Sequence, residues 1–169
     1  MKTLIRLSHA LNRLCGGMAI ALILYMFVHI IVEIGLRFFG MSTFVLDEFV
    51  GYAVAASTFF ALGYSLERDG LIRVNVVLDR IAESKRWILD LFASLLASAF
   101  FLWVGYYWWL TVARSFVRGT TSQSLAETPL WIPQGMVLIG MGMLCLTLIV
   151  RIAALICYQQ APKPAAQGA

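Results

Sequence analysis

The chain has 169 residues, of which 61% are hydrophobic and only 13% charged, with a formal net charge of +4 and a mean hydropathy of +0.84. A soluble domain carries about 25% charged residues, so this composition excludes a solvated globular surface, and three cysteines exclude a disulfide-stapled secreted scaffold. The excess apolar surface must face lipid or another membrane protein.

Charged residues mark the ends of four apolar runs. Uncharged stretches cover Leu14 to Val32, Phe49 to Leu66, Leu91 to Ala113 and Thr128 to Val150, which are 19, 18, 23 and 23 residues long. A helix needs about 20 residues to cross a hydrocarbon core of about 30 Å. Barrel strands would be about 10 residues long and alternate in polarity, and these runs do neither. The reading is an all-α integral membrane protein with four transmembrane helices, forming one membrane domain over residues 1–158. The Pro- and Ala-rich tail, residues 159–169, is expected to be disordered.

The first run follows Lys2, Arg6 and Arg13, as a secretory signal would. It is longer than the usual 7–15 apolar residues of such a signal, and Glu33 and Arg37 follow it instead of a small-residue cleavage site. It is read as a retained first helix. His29, Glu33 and Arg37 lie four residues apart, on one stripe of its last turns. An ionisable residue at membrane depth is a functional suspect by default. Glu33 and Arg37 also suit a structural ion pair, with the acid N-terminal to the base. A helix-packing polar contact and a proton or ion site are the other two readings.

The second helix begins with Asp47, Glu48 and Tyr52, whose acids complement the helix dipole. It carries small residues at a spacing of four: Ala53, Ser57, Ala61 and Ser65, with Gly51 and Ala55 as a second row. Such rows let helices approach closely where lipid offers no hydrophobic drive. Spacing leaves open whether the row packs on this chain or on a partner.

Between the second and third helices, Asp69-Gly70 signals a turn. Val74, Val77, Leu78 and Ile81 then recur with helical spacing, which predicts a short amphipathic helix along the membrane surface. A plain connector is the alternative. Asp90 opens the third helix, four residues after Arg86. Trp87 and the Tyr106-Tyr107-Trp108-Trp109 cluster mark its two interfaces, about 33 Å apart along the helix. Trp131 opens the fourth helix at the second interface.

Orientation follows from the basic residues. Ten of the thirteen fall on one side, in the N-terminal segment, the loop from Arg68 to Arg86, and the C-terminal end. Both termini are therefore expected to be cytoplasmic. No basic cluster is interleaved with aromatic residues, so nucleic-acid binding is not indicated. Cys15, Cys145 and Cys157 have no metal-ligand spacing, and His9 and His29 lie on one N-terminal stretch. No catalytic, metal or cofactor site is expected.

The stretch from Asp47 to Ile81 resembles the small membrane subunit, of DctQ type, of tripartite ATP-independent periplasmic (TRAP) transporters. The resemblance rests on Glu48 and Tyr52, Gly63-Tyr64, Arg68 and Ile72-Arg73-Val74. It continues in Thr121-Ser122-Gln123-Ser124-Leu125 and in Pro129-Leu130-Trp131-Ile132-Pro133, ahead of Gly140. Leu71 and Asn75 depart from the His and Asp frequent in that family. The resemblance implies a non-catalytic subunit in the bacterial inner membrane. Its implied partners are a large permease subunit, which moves substrate by an elevator-type motion on a sodium gradient, and a periplasmic substrate-binding protein. The implied substrates are carboxylates, and the small subunit would widen the large one's scaffold. Glu48, Tyr52, Ala53, Ser57, Ala61, Arg68, Arg73 and Trp131 are the candidate partner-interface positions, and Glu33 with Arg37 the candidate structural ion pair. Competing readings are a proton-coupled homodimeric exporter working through Glu33, and a haem-bearing membrane anchor of a redox enzyme.

Overall fold

A computed structural model describes residues 2–68 and 86–158. It contains four long helices: α1 (Lys2–Phe38), α2 (Leu46–Glu67), α3 (Arg86–Arg118) and α4 (Trp131–Tyr158). Each includes a segment long and apolar enough to cross a membrane. Within such a segment the helix satisfies its own backbone polar groups, which lipid cannot do. The expected amphipathic helix, Arg73 within the same loop, and the tail 159–169 lie outside the described residues.

The helices pack in the order α1, α2, α4, α3, with a lesser contact between α1 and α4. This arrangement leaves α1 and α3 on the flanks. Half of the apolar window of α4 is buried (50%), against 11% for α1 and for α3. The flanking helices therefore keep most of their apolar surface for lipid or for another protein.

Small side chains set the close approaches. Cys15 and Ala19 of α1 meet Ala56 and Phe60 of α2 in one buried cluster, with Leu22, Ala61 and Met143 around it. Leu66, Leu144 and Leu148 form a second cluster that reaches Ala97 and Phe101 of α3. A Cβ on Gly16 would stand 3.0 Å from the Tyr64 ring, so glycine there lets the tyrosine lie flat on α1.

Part of the small-residue row of α2 faces into this chain. Ala53 and Ser57 are buried inside the chain, and Ala61 packs against the first cluster. Gly51, from the second row, is exposed.

Candidate functional site

The side-chain hydrogen bonds that tie α1 and α2 to other elements fall in two layers. Glu33 and Glu48 belong to one; Asn12 and Glu67 belong to the other. Asn12 and Glu33 lie about 32 Å apart along α1, and Glu48 and Glu67 about 29 Å along α2. Each separation is close to the thickness of a hydrocarbon core.

Glu33 is 1% exposed and holds the reversal that follows α1. Ser42 Oγ donates to its Oε1 at 2.5 Å, while Thr43 donates to Oε2 through Oγ1 at 2.6 Å and through its amide at 3.1 Å. Arg37 Nε reaches Oε1 at 3.3 Å, from a side chain that is 63% exposed. The i,i+4 contact with Arg37 is thus present, but the two loop hydroxyls and an amide make the shorter bonds. Ser42 and Thr43 were not visible as partners in a helical spacing rule, because they return to Glu33 through a turn.

Glu48 ties the head of α2 to the connection between α3 and α4. Tyr52 donates its hydroxyl to Glu48 Oε1 at 2.8 Å, and Ser124 Oγ donates to Oε2. The connection is itself a small closed loop. Ser122 N–H donates to Thr128 O at 2.9 Å and Leu130 N–H to Thr120 O at 3.0 Å, and Thr121 bridges to Pro129. Beyond it, Trp131 meets Phe116 edge to face with ring centroids 5.5 Å apart. The Glu48-Tyr52 pair and the Ser-Gln-Ser stretch, far apart in sequence, therefore form one structural unit. Asp47 remains exposed beside them.

The opposite layer centres on Asn12, which is fully buried. Its Nδ2 donates to Glu67 Oε2 at 2.5 Å and to Thr147 Oγ1 at 2.8 Å, joining α1, α2 and α4. His9 pairs with the other Glu67 oxygen. A cavity of about 60 Å³ opens beside these groups, with Ser8, Leu66 and Arg151 in its wall. Arg151 of α4 lies 3.7 Å from Asp90 of α3, an ion pair that joins the two helices. Neither Asn12 nor Thr147 stood out in the sequence, since each is a single polar residue beside an apolar run.

The Gly63-Tyr64 and Arg68 elements find their reason here. A Cβ on Gly63 would fall 2.7 Å from Asn12 Oδ1, so any larger residue would displace the asparagine. Tyr64 covers Gly16, and the Arg68 guanidinium lies over the Tyr64 ring, 4.6 Å from its centroid. All these contacts hold helices or loops in place. Glu33, Glu48 and Glu67 each accept hydrogen bonds from neighbouring elements, and among the described residues no three His, Cys, Asp or Glu side chains gather as metal ligands.

Residues 26–157 match the family model of the DctQ component of tripartite ATP-independent periplasmic transporters. This chain belongs to the DctQ family. Comparison with curated proteins and with solved structures returned no match. As a DctQ component it is a multi-pass, non-catalytic membrane part of a TRAP transporter, and it partners other components of that transporter. The matched stretch starts within α1 and includes the Glu33 turn, the Glu48–Ser124 unit, Gly63 and Gly140. His9 and Asn12 precede it.

Proposed function

We propose that this DctQ component is the stationary small subunit of a sodium-driven importer of organic acids. It binds the large permease subunit in the inner membrane and extends that subunit's scaffold. The observation that carries this reading is the tethering of Glu33, Glu48 and Glu67, carboxylates near the helix ends, by adjoining elements of the same chain. An exporter working through Glu33 would need a carboxylate that opens and closes to ions. A carboxylate bonded by Ser42, Thr43 and Arg37 suits a fixed support instead.

The small-residue row is assigned to internal packing, since Ala53 and Ser57 are buried. The contact with the large subunit then falls to the outward apolar face of α3, with Trp131 at the edge of α4 and Arg68 and Arg73 around the connecting loop. Both termini and the loop between α2 and α3 are cytoplasmic, because ten of the thirteen basic residues lie on that side. An impermeant thiol reagent on intact cells should then label a cysteine placed at Thr120 and spare one placed at Ser84. The periplasmic binding protein delivers its carboxylate substrate to the opposite face.

Reconstitution of the large subunit, the binding protein and this chain in liposomes tests the reading. An inward sodium gradient should drive uptake of the organic acid, and omission of this chain should abolish it. Uptake that is indifferent to sodium, or that proceeds without the chain, would refute it.

A further inference from the structure

The reversal between α1 and α2 turns its polar groups inward and its apolar side chains outward. Phe39 N–H donates to Leu36 O at 3.0 Å, Gly40 N–H to Arg37 O at 3.1 Å and Met41 N–H to Leu36 O at 3.0 Å. The Ser42 and Thr43 hydroxyls and the Thr43 amide turn to Glu33, and Phe44 N–H reaches Ser42 Oγ at 3.2 Å. Facing outward are Phe38, Phe39, Met41 and Phe44, at 86, 79, 56 and 75% exposure. Phe44 adopts a φ of 59°, a left-handed backbone that bulky residues rarely take up. The strained residue sits where the chain folds Ser42 and Thr43 back onto Glu33.

A connection that runs through water normally has the opposite pattern, with polar groups outward. Irregular backbone at lipid depth is tolerated when its polar groups find partners inside the protein, and here the amides of Phe39, Gly40, Met41, Thr43 and Phe44 and the two hydroxyls have such partners. The apolar surface also continues that of a spanning helix. Phe27, Val28, Ile31 and Ile34 on α1 are exposed and lead directly to Phe38. An open crevice of about 270 Å³ lies among Ile34, Arg37 and Phe38. It offers an acyl chain two apolar walls and a headgroup phosphate a guanidinium.

We propose that the Phe38–Phe44 turn is a lipid anchor. Its four apolar side chains enter the acyl-chain boundary of one leaflet, and Glu33 keeps the turn's hydroxyls and amide out of lipid. The occupant of this surface is the bilayer, not the large subunit. The inference requires only that α1 span the membrane, so it stands apart from the question of sodium coupling.

Nitroxide labels test it in the assembled membrane complex, reconstituted in phosphatidylcholine–phosphatidylglycerol nanodiscs. Phe39→Cys and Phe44→Cys are labelled in a chain with Cys15, Cys145 and Cys157 replaced by alanine, and Gln123→Cys serves as a reference. Dissolved oxygen should collide with the labels at positions 39 and 44 several-fold more often than a water-soluble nickel chelate does. Equal or greater access by the nickel chelate would place the turn in water and overturn the proposal. Labels reached by neither would show a protein covering the turn, which overturns it as well. A photoreactive phenylalanine analogue at the same positions, with the native cysteines kept, decides the matter if the cysteine-free complex does not assemble. Lipid adducts support the anchor, whereas water adducts or crosslinks to protein refute it.

Discussion

Gly140 of α4 lies directly against the backbone of Phe59 in α2: a Cβ on the glycine would stand 2.7 Å from the Phe59 carbonyl carbon. Backbone cannot swing aside as a flexible side chain can, so this contact sets the distance between the two central helices. Gly140→Ala should force them apart, and overpacking of this kind costs about 1–3 kcal/mol. Gly142, with nothing near its notional Cβ, should tolerate alanine. Thermal unfolding of the two purified variants checks the contrast, and equal midpoints would place the tight crossing elsewhere.

Asn12 and Gly63 should behave as one unit. Hydrogen bonds between membrane helices average about 0.6 kcal/mol and reach about 1.7, so Asn12→Ala should cost an amount in that range. Gly63→Ala introduces a methyl group where Asn12 Oδ1 stands. Once Asn12 is alanine that conflict is gone, and Gly63→Ala should become milder by about 0.5 kcal/mol or more. A double-mutant cycle in detergent unfolding measures the coupling. Strict additivity would mean that the two residues do not share the site.

The contrast between these two sites shows what the sequence made legible. Four spans could be read from where the charges fall, because a charge at the bilayer centre is costly wherever the chain later goes. The Glu33–Arg37 spacing was readable for the same local reason. Hydroxyl partners that return through a turn, such as Ser42 and Thr43, leave no periodic trace. Asn12 and Thr147 are 135 residues apart, and only the order in which the helices pack brings them together. The Glu48-Tyr52 and Ser122-Gln123-Ser124 elements were both visible, yet nothing local indicated that one binds the other. The direction of the small-residue row was likewise undecidable, since its spacing is the same whichever helix it meets.

That direction has a consequence for mutants. Ala61 packs against Cys15, Ala19, Ala56 and Phe60, so Ala61→Leu should damage the fold of this chain itself. Aggregation or degradation of the small subunit is expected, by a loss of about 1–3 kcal/mol from overpacking. Size-exclusion profiles after mild solubilisation provide the measurement. A monodisperse small subunit that has merely lost its large partner would point to an intermolecular row instead.

Glu33 should be structural. Glu33→Gln retains an acceptor oxygen for Ser42 or Thr43, so uptake should remain close to wild type with a modest loss of complex stability. Glu33→Ala leaves two hydroxyls and an amide without their acceptor, and a buried unsatisfied group costs about 1–3 kcal/mol. It should therefore lower stability more than the glutamine variant does. Uptake assays and thermal unfolding on both variants separate the roles. Normal assembly with abolished uptake in Glu33→Gln would indicate that the carboxylate couples ions.

As a fixed support, this chain should remain bound to a larger permease. The most direct test is isolation of the tagged chain from native membranes in mild detergent, followed by mass spectrometry and mass determination of the particle. A one-to-one complex with a large multi-span permease, retained through size exclusion, is expected. A homodimer that carries out transport by itself, or a particle containing a redox enzyme and haem absorption in place of the permease, would contradict it.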